Sequence, residues 1–211
     1  MKEDKRFTQD LDSIFNPRSV AVVGVSTKGT KLQFGGINFV DALLRCNFKG
    51  DIYPVKPEGG EILGLKAYPS LKDIPGPIDY VICSIPAPQV PQLIQDCIAK
   101  KVNTMTIYTG GFSESGTKEG KQLEERISSL ARQNGIRIIG PNCVGIYCPK
   151  VGLSFMSGFP KESGPVAAIC QSGGNSVYLV REGARRGIGF SKFISFGNAC
   201  DVNESDLLEF L

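Results

Sequence analysis

From Ser19 onward, short β-rich runs alternate with segments whose apolar residues return at helical period. The runs Ser19–Val25, Asp51–Val55, Asp79–Ser84, Thr104–Tyr108 and Ile136–Ile139 predict strands. Between them, Val90, Leu93, Ile94, Cys97 and Ile98 share one helix face, and Leu123, Ile127, Leu130 and Ala131 share another. Phe39, Val40, Leu43 and Leu44 mark a shorter helix, with Gly50 closing the turn that follows. Strands alternating with helices predict an α/β fold, a parallel sheet with helices on its faces, here a Rossmann-like unit over residues 1–150. A stretch rich in Gly, Ser and Pro, from Pro149 to Gly164, reads as a linker. The pattern then restarts with strand Pro165–Cys170, a helix over Ser176–Arg186, strand Lys192–Phe196 and a helix from Glu204 to Leu211. Two strands and a short helix do not bury both faces of a parallel sheet. Residues 151–211 are therefore expected to be an incomplete second domain, its remainder completed elsewhere or missing.

The candidate chemistry lies where predicted strands end. Gly140-Pro141-Asn142-Cys143-Val144-Gly145 presents an amide and a thiol on a rigid turn, at the carboxyl end of a strand, where parallel sheets open into ligand crevices. Gly24-Val25-Ser26-Thr27-Lys28-Gly29 follows the first strand in the place of a dinucleotide-binding fingerprint, with Ser26 where the second glycine would stand. Its backbone amides and the donors of Ser26, Thr27 and Lys28 suit a phosphate; a plain β–α turn accounts for the segment equally well. Lys56 stands where NAD enzymes usually place an acid for the ribose, so it suits a phosphorylated ribose, that of coenzyme A or NADP; a solvated surface lysine is the alternative. Pro86 and Pro88 end the third strand and offer apolar surface to an adenine or a pantetheine, and Thr109-Gly110-Gly111 lets a ligand approach the backbone. Gln171-Ser172-Gly173-Gly174-Asn175 places amides and a hydroxyl at a helix N-terminus, which is an anion site by geometry or an ordinary N-cap. Asp201 reads as a cap of the last helix or as a group facing a ligand.

Composition narrows the class. Hydrophobic residues make up 41% and charged residues 21% of 211, as in a soluble globular protein. A net charge of +3, spread along the chain, argues against nucleic acid and membrane surfaces as partners. Seven cysteines, an odd number without a Cys-x-x-Cys pair, fit neither a disulfide framework nor a zinc ribbon and suit a reducing compartment. The charged N-terminus and the lack of a run of ~20 apolar residues make cytoplasm the expectation. There is no histidine, so the commonest general base, phosphoryl acceptor and metal ligand is missing; no metal site is expected, and Cys143 has no imidazole to activate it.

Taken together, the Gly24 turn, Tyr53-Pro54-Val55-Lys56-Pro57, Ile85-Pro86-Ala87-Pro88, Gly140-Pro141-Asn142-Cys143 and Gln171-Ser172-Gly173-Gly174 resemble the acyl-CoA synthetases that form a nucleoside diphosphate, the family of succinyl-CoA synthetase and ADP-forming acetyl-CoA synthetase. Ser195-Phe196-Gly197-Asn198-Ala199-Cys200-Asp201-Val202 is similar to the acetyl-CoA synthetase branch, and the resemblance runs from about Leu11 to the end. It implies a CoA-binding first domain and a flavodoxin-like second one. Gly24, Ser26, Thr27 and Lys28 would then meet the CoA phosphates, with Lys56 nearby. Pro86 and Pro88 would flank nucleotide and pantetheine, Thr109 and Gly110 would line the channel, and Asn142 and Cys143 would lie near the thiol end. Ser172, Gly173 and Gly174 would hold the phosphate of an acyl phosphate or phosphohistidine. The implied reaction converts a carboxylic acid, CoA and ATP to acyl-CoA, ADP and phosphate, with ATP and Mg2+ handled by an ATP-grasp domain or subunit of an oligomeric enzyme. Because the active-site histidine is absent, no catalytic residue is expected in this chain, which should bind CoA without turnover. Two alternatives stay open: an NADP-binding redox domain and a standalone CoA-responsive regulatory module.

Overall fold

A computed structural model describes residues 14–26 and 35–211. Five strands pair in parallel in the order β2-β1-β5-β6-β7: β1 (Ser19–Val23), β2 (Asp51–Val55), β5 (Tyr80–Cys83), β6 (Thr104–Ile107) and β7 (Arg137–Ile139). The order reverses direction between β1 and β5, the topological switch point at which doubly wound sheets open a crevice. Alternate side chains separate cleanly onto two faces. Val20, Val22, Tyr80 and Ile82 enter one core, while Ala21, Val23, Val81 and Cys83 enter the other. Helices α2 (Val90–Ala99) and α3 (Lys118–Gln133) cover the second face through Val90, Leu93, Ile94, Ile127 and Ala131. Each of the Val, Leu and Ile side chains, fully buried, contributes about 1.5–3 kcal/mol, and Ala131 less. Thr117 starts α3 by accepting a hydrogen bond from the Gly120 N–H at 3.1 Å.

Helix α1 (Gly36–Arg45) covers the first face with Ile37, Phe39, Val40 and Leu43, beside a second sheet. That sheet has the order β8-β10-β9, with β8 (Gly145–Tyr147) antiparallel and β9 (Val166–Cys170) parallel to the central β10 (Phe190–Ser195). Helix α4 (Gly173–Arg185) and the short α5 (Glu204–Phe210) accompany it. The five strands and three helices read in the first unit are present, as are both strands and both helices read beyond residue 164, with ends shifted by one to a few residues. Two features were not foreseen: the hairpin β3 (Gly60–Ile62) with β4 (Leu65–Ala67), and β8. The stretch read as a linker is packed. Phe155 and Phe159 are buried and meet Tyr147 edge-on, with ring centroids 5.2–6.3 Å apart, and Tyr147 Oη donates to the Pro160 carbonyl at 2.8 Å.

The two sheets are joined along β7. The N–H groups of Asn198, Cys200 and Val202 donate to the carbonyls of Pro141, Gly140 and Ile138 at 2.9, 3.0 and 3.1 Å. Asp201 neither caps α5 nor faces the crevice: its Oδ2 lies 2.8 Å from Arg137 Nε and accepts from the Ile138 N–H at 2.9 Å, both side chains being largely buried. The capping of α5 belongs to Asn203, which accepts from the Ser205 and Asp206 amides while Asp206 accepts from the Asn203 N–H.

Candidate functional site

The carboxyl ends of the first sheet open into a crevice of about 750 Å3. Three of its sides come from the turns after β5, β6 and β7, contributing Ser84, Ile85 and Pro86, then Tyr108, Thr109 and Gly110, then Asn142, Cys143 and Val144. The fourth is the N-terminus of α4 with Ser172, Gly173 and Gly174, and α1 adds Asn38 and Phe39 from its first turn. Eight of the residues singled out in the sequence therefore meet in one cavity: Pro86, Thr109, Gly110, Asn142, Cys143, Ser172, Gly173 and Gly174. Gly24 lies immediately behind its wall, since a Cβ there would sit 2.5 Å from the Ser84 carbonyl oxygen. Ser26, Lys56 and Pro88 do not line it, and Thr27 and Lys28 lie outside the described residues. The Gly24 and Val25 amides both donate to the Val55 carbonyl, at 3.1 and 3.2 Å, and are engaged within the fold.

Local structure holds each turn. Thr109 Oγ1 donates to the Ile85 carbonyl at 2.6 Å, tying the β6 turn to the β5 turn, and Asn142, at φ 59°, donates its N–H to the Thr109 carbonyl at 3.0 Å. Ser172 caps α4 by accepting from the Asn175 N–H at 3.3 Å. This leaves the start of the helix, with its partial positive charge, against the cavity. The wall that sequence reading missed comes from the packed connection: Phe155 and Met156 line the crevice, fixed where Asn38 Nδ2 donates to the Phe155 carbonyl at 2.9 Å. Its signal in the sequence was the set Val151, Leu153, Phe155, Met156 and Phe159 spaced through a run rich in Gly, Ser and Pro.

None of the described residues lining the cavity carries a charge. Anionic groups there would be met by backbone amides, hydroxyls and two helix starts, and neutral amide-bearing chains by Asn38, Asn142 and Gln171. No group of three metal-ligating side chains exists among the described residues. Cys143 is buried, with Sγ 3.6 Å from the Ile139 carbonyl, and burial pushes its thiol up to about 12, only partly offset by the Gly145 backbone hydrogen bond. Roughly one molecule in ten thousand would carry a Cys143 thiolate at pH 8. Iodoacetamide mapping at that pH should accordingly label the half-buried Cys170 at least about 100-fold faster than Cys143. Comparable rates would show that Cys143 is activated.

Residues 18–149 match the family described as CoA binding domain, and residues 163–211 match the succinyl-CoA ligase like flavodoxin domain. The alpha subunit of acetate–CoA ligase [ADP-forming] II from Pyrococcus furiosus is 41% identical over 201 residues, covering 95% of this chain and 43% of the relative. Acetate–CoA ligase [ADP-forming] II from Archaeoglobus fulgidus is 38% identical over 219 residues, covering 99% and 32%. Among solved structures, dinucleotide forming acetyl-coenzyme A synthetase 1 of Ca. Korarchaeum cryptofilum, in complex with phosphate and ADP, superimposes with a TM-score of 0.86 at 37% identity, over 95% of this chain and 42% of that one. The chain thus spans less than half the length of these relatives. With a Rossmann-like sheet matched over residues 18–149 and a succinyl-CoA ligase-like segment after it, the chain belongs to the CoA-binding domain family, in the form found among ADP-forming acetate–CoA ligases.

Proposed function

We propose that this chain is the CoA-binding portion of an ADP-forming acyl-CoA synthetase, which joins a small carboxylic acid to CoA at the expense of ATP in the cytoplasm. The observation that carries the reading is the uncharged crevice closed by the start of α4. A pantetheine arm is a neutral chain of amides and methyl groups that would lie along Pro86, Thr109, Gly110 and Asn142, with its thiol toward Cys143 and Val144. Ser172, Gly173 and Gly174 would hold a phosphoryl group at that end. Gly24 would shape the wall behind the ligand, its own amide being held by the Val55 carbonyl. Ser26, Thr27 and Lys28 would meet the CoA phosphates, Lys56 the phosphorylated ribose and Pro88 the nucleotide, with Ser26, Lys56 and Pro88 all lying beyond the crevice itself. The phosphorylated histidine, ATP and Mg2+ would belong to further domains or an ATP-grasp partner, since this chain has no histidine; its own residues bind and orient. The division into a CoA-binding domain over 1–150 and an incomplete flavodoxin-like domain over 151–211 is part of the proposal. The β9 edge supports it, because Val166 and Ala167 are exposed there. No helix among the described residues is long and apolar enough to cross a membrane.

Calorimetric titration with CoA, dephospho-CoA, NADP and NAD tests the reading. CoA at about 100 times its Kd should add ~2.7 kcal/mol of stability. In a chain of this size that is roughly 5–10 °C in Tm. Weaker binding of dephospho-CoA would support the part given to Lys56. A preference for NADP, or no affinity for CoA, would overturn the proposal.

A further inference from the structure

Asn198, in the turn after β10, joins separate pieces of the crevice. Its N–H donates to the Pro141 carbonyl at 2.9 Å, one residue before Asn142. Its Nδ2 lies 2.5 Å from Glu114 Oε2, 2.7 Å from Glu124 Oε2 and 3.2 Å from Ser113 Oγ. Glu114 Oε1 in turn accepts from the N–H groups of Gly111 and Phe112 at 2.5 and 3.3 Å, and Glu124 Oε2 accepts from the Ser113 N–H at 3.3 Å. Ionised carboxylates only accept, so two of them meeting here need a donor between them, and a carboxamide is the neutral side chain that supplies two N–H groups. Burial alone would raise the Glu114 pKa; the hydrogen bonds from Asn198 and from the Gly111 and Phe112 amides outweigh it and hold the carboxyl below its usual range. The loop that brings Gly110 to the cavity is therefore anchored by a carboxylate, which is itself anchored by a residue of the second sheet. Next to Asn198, the Gly197 N–H and carbonyl pair with the Gln171 carbonyl and side-chain amide at 3.1 and 3.3 Å, adding a third crevice residue to the same hub.

We propose that Asn198 is a positioning residue for the ligand of the crevice: its carboxamide sets the Gly110–Ser113 loop against the Pro141–Asn142 turn, so that docking of the second sheet and ligand affinity are coupled. The choice of CoA as the ligand rests on the function proposed above; the coupling within the loop does not. Asn198→Asp places a third carboxylate against Glu114 and Glu124. In the ligand-free chain it should speed amide hydrogen exchange at Gly111, Phe112 and Ser113 at least about tenfold and leave the amides of α2 unchanged, and it should weaken CoA binding roughly tenfold. Asn198→Ala, which removes the donor without adding charge, should shift both quantities the same way by less. Combining Asn198→Asp with Glu124→Gln restores the charge count and a donor at the junction, and should return exchange and affinity toward wild type. Unchanged exchange at the three amides in Asn198→Asp overturns the proposal whether or not CoA binds. Acceleration spread evenly through the chain overturns it too, because that is general destabilisation. Faster loop exchange with unaltered CoA affinity overturns the coupling to ligand. Loss of CoA binding in the wild type itself would instead overturn the function proposed above, leaving the exchange measurements to decide this one.

Discussion

Gly24→Ala is expected to lower the free energy of unfolding by about 3–5 kcal/mol and to abolish ligand binding in whatever fraction stays folded. Gly24 follows β1 with φ at 93°, a conformation that side chains strongly disfavour. A Cβ there would also lie 2.5 Å from the Ser84 carbonyl oxygen and 2.8 Å from Ile85 Cγ2. Both of those residues line the crevice, and neither the β1 backbone nor the β5 backbone can retreat without breaking the Ser84 N–H to Val23 carbonyl bond at 2.8 Å. The other side is equally closed, since the Gly24 carbonyl oxygen sits where a Cβ on Gly36 would come within 2.7 Å. The substitution would therefore push the start of α1 and the β5 turn apart at the topological switch. Urea unfolding measures the loss, and a variant within about 1 kcal/mol of wild type would show that the β1 end is looser than this packing implies.

The second large effect is expected at the pair that locks the two sheets together. Asp201→Ala should cost about 3–5 kcal/mol, because it removes the carboxylate 2.8 Å from a guanidinium that is only 13% exposed, together with the acceptor of the Ile138 N–H. Asp206, 3.8 Å from Arg137 Nη2, moderates the loss toward the lower end of that range. Replacing both partners, Arg137→Met with Asp201→Leu, should cost clearly less than Asp201→Ala plus Arg137→Ala, since neither member of the close pair is then left buried without the other, and Asp206, which loses only a 3.8 Å contact, keeps the Asn203 N–H. Chemical denaturation of the set decides it. Additive losses would show that the two groups act independently.

Much of this fold was legible, for a reason visible in particular residues. Strands such as Val20–Val23 and Tyr80–Cys83 are apolar throughout because both faces are covered, and helices such as Val90–Ala99 carry one apolar stripe because one face is. The turns that line the crevice were legible because glycine, proline and asparagine gather where parallel strands end. The packed connection was not legible, since Gly, Ser and Pro dominate its composition while Phe155 and Phe159 do its packing against a strand, β8, of three residues. Asn198 reads locally as part of a turn, but its contacts are with Glu114 and Glu124, more than 70 positions away, and no local pattern encodes that meeting. Pro88 follows a turn whose Ser84, Ile85 and Pro86 reach the crevice while it does not, and no residue of the turn after β2 that carries Lys56 reaches it, which spacing along the chain could not distinguish.

The bonds from Asn198, Cys200 and Val202 onto β7 also bear on how this protein can be divided. A fragment ending at residue 149, where the CoA-binding match stops, would keep every strand of the first sheet yet bare the polar backbone of β7 along its whole outer side. Such a row of unmatched donors and acceptors is a template on which a second molecule can add a strand. The segment that follows β10 therefore guards this edge of the first sheet, so the part of the molecule that holds the crevice and the part that covers its open edge belong in one fragment.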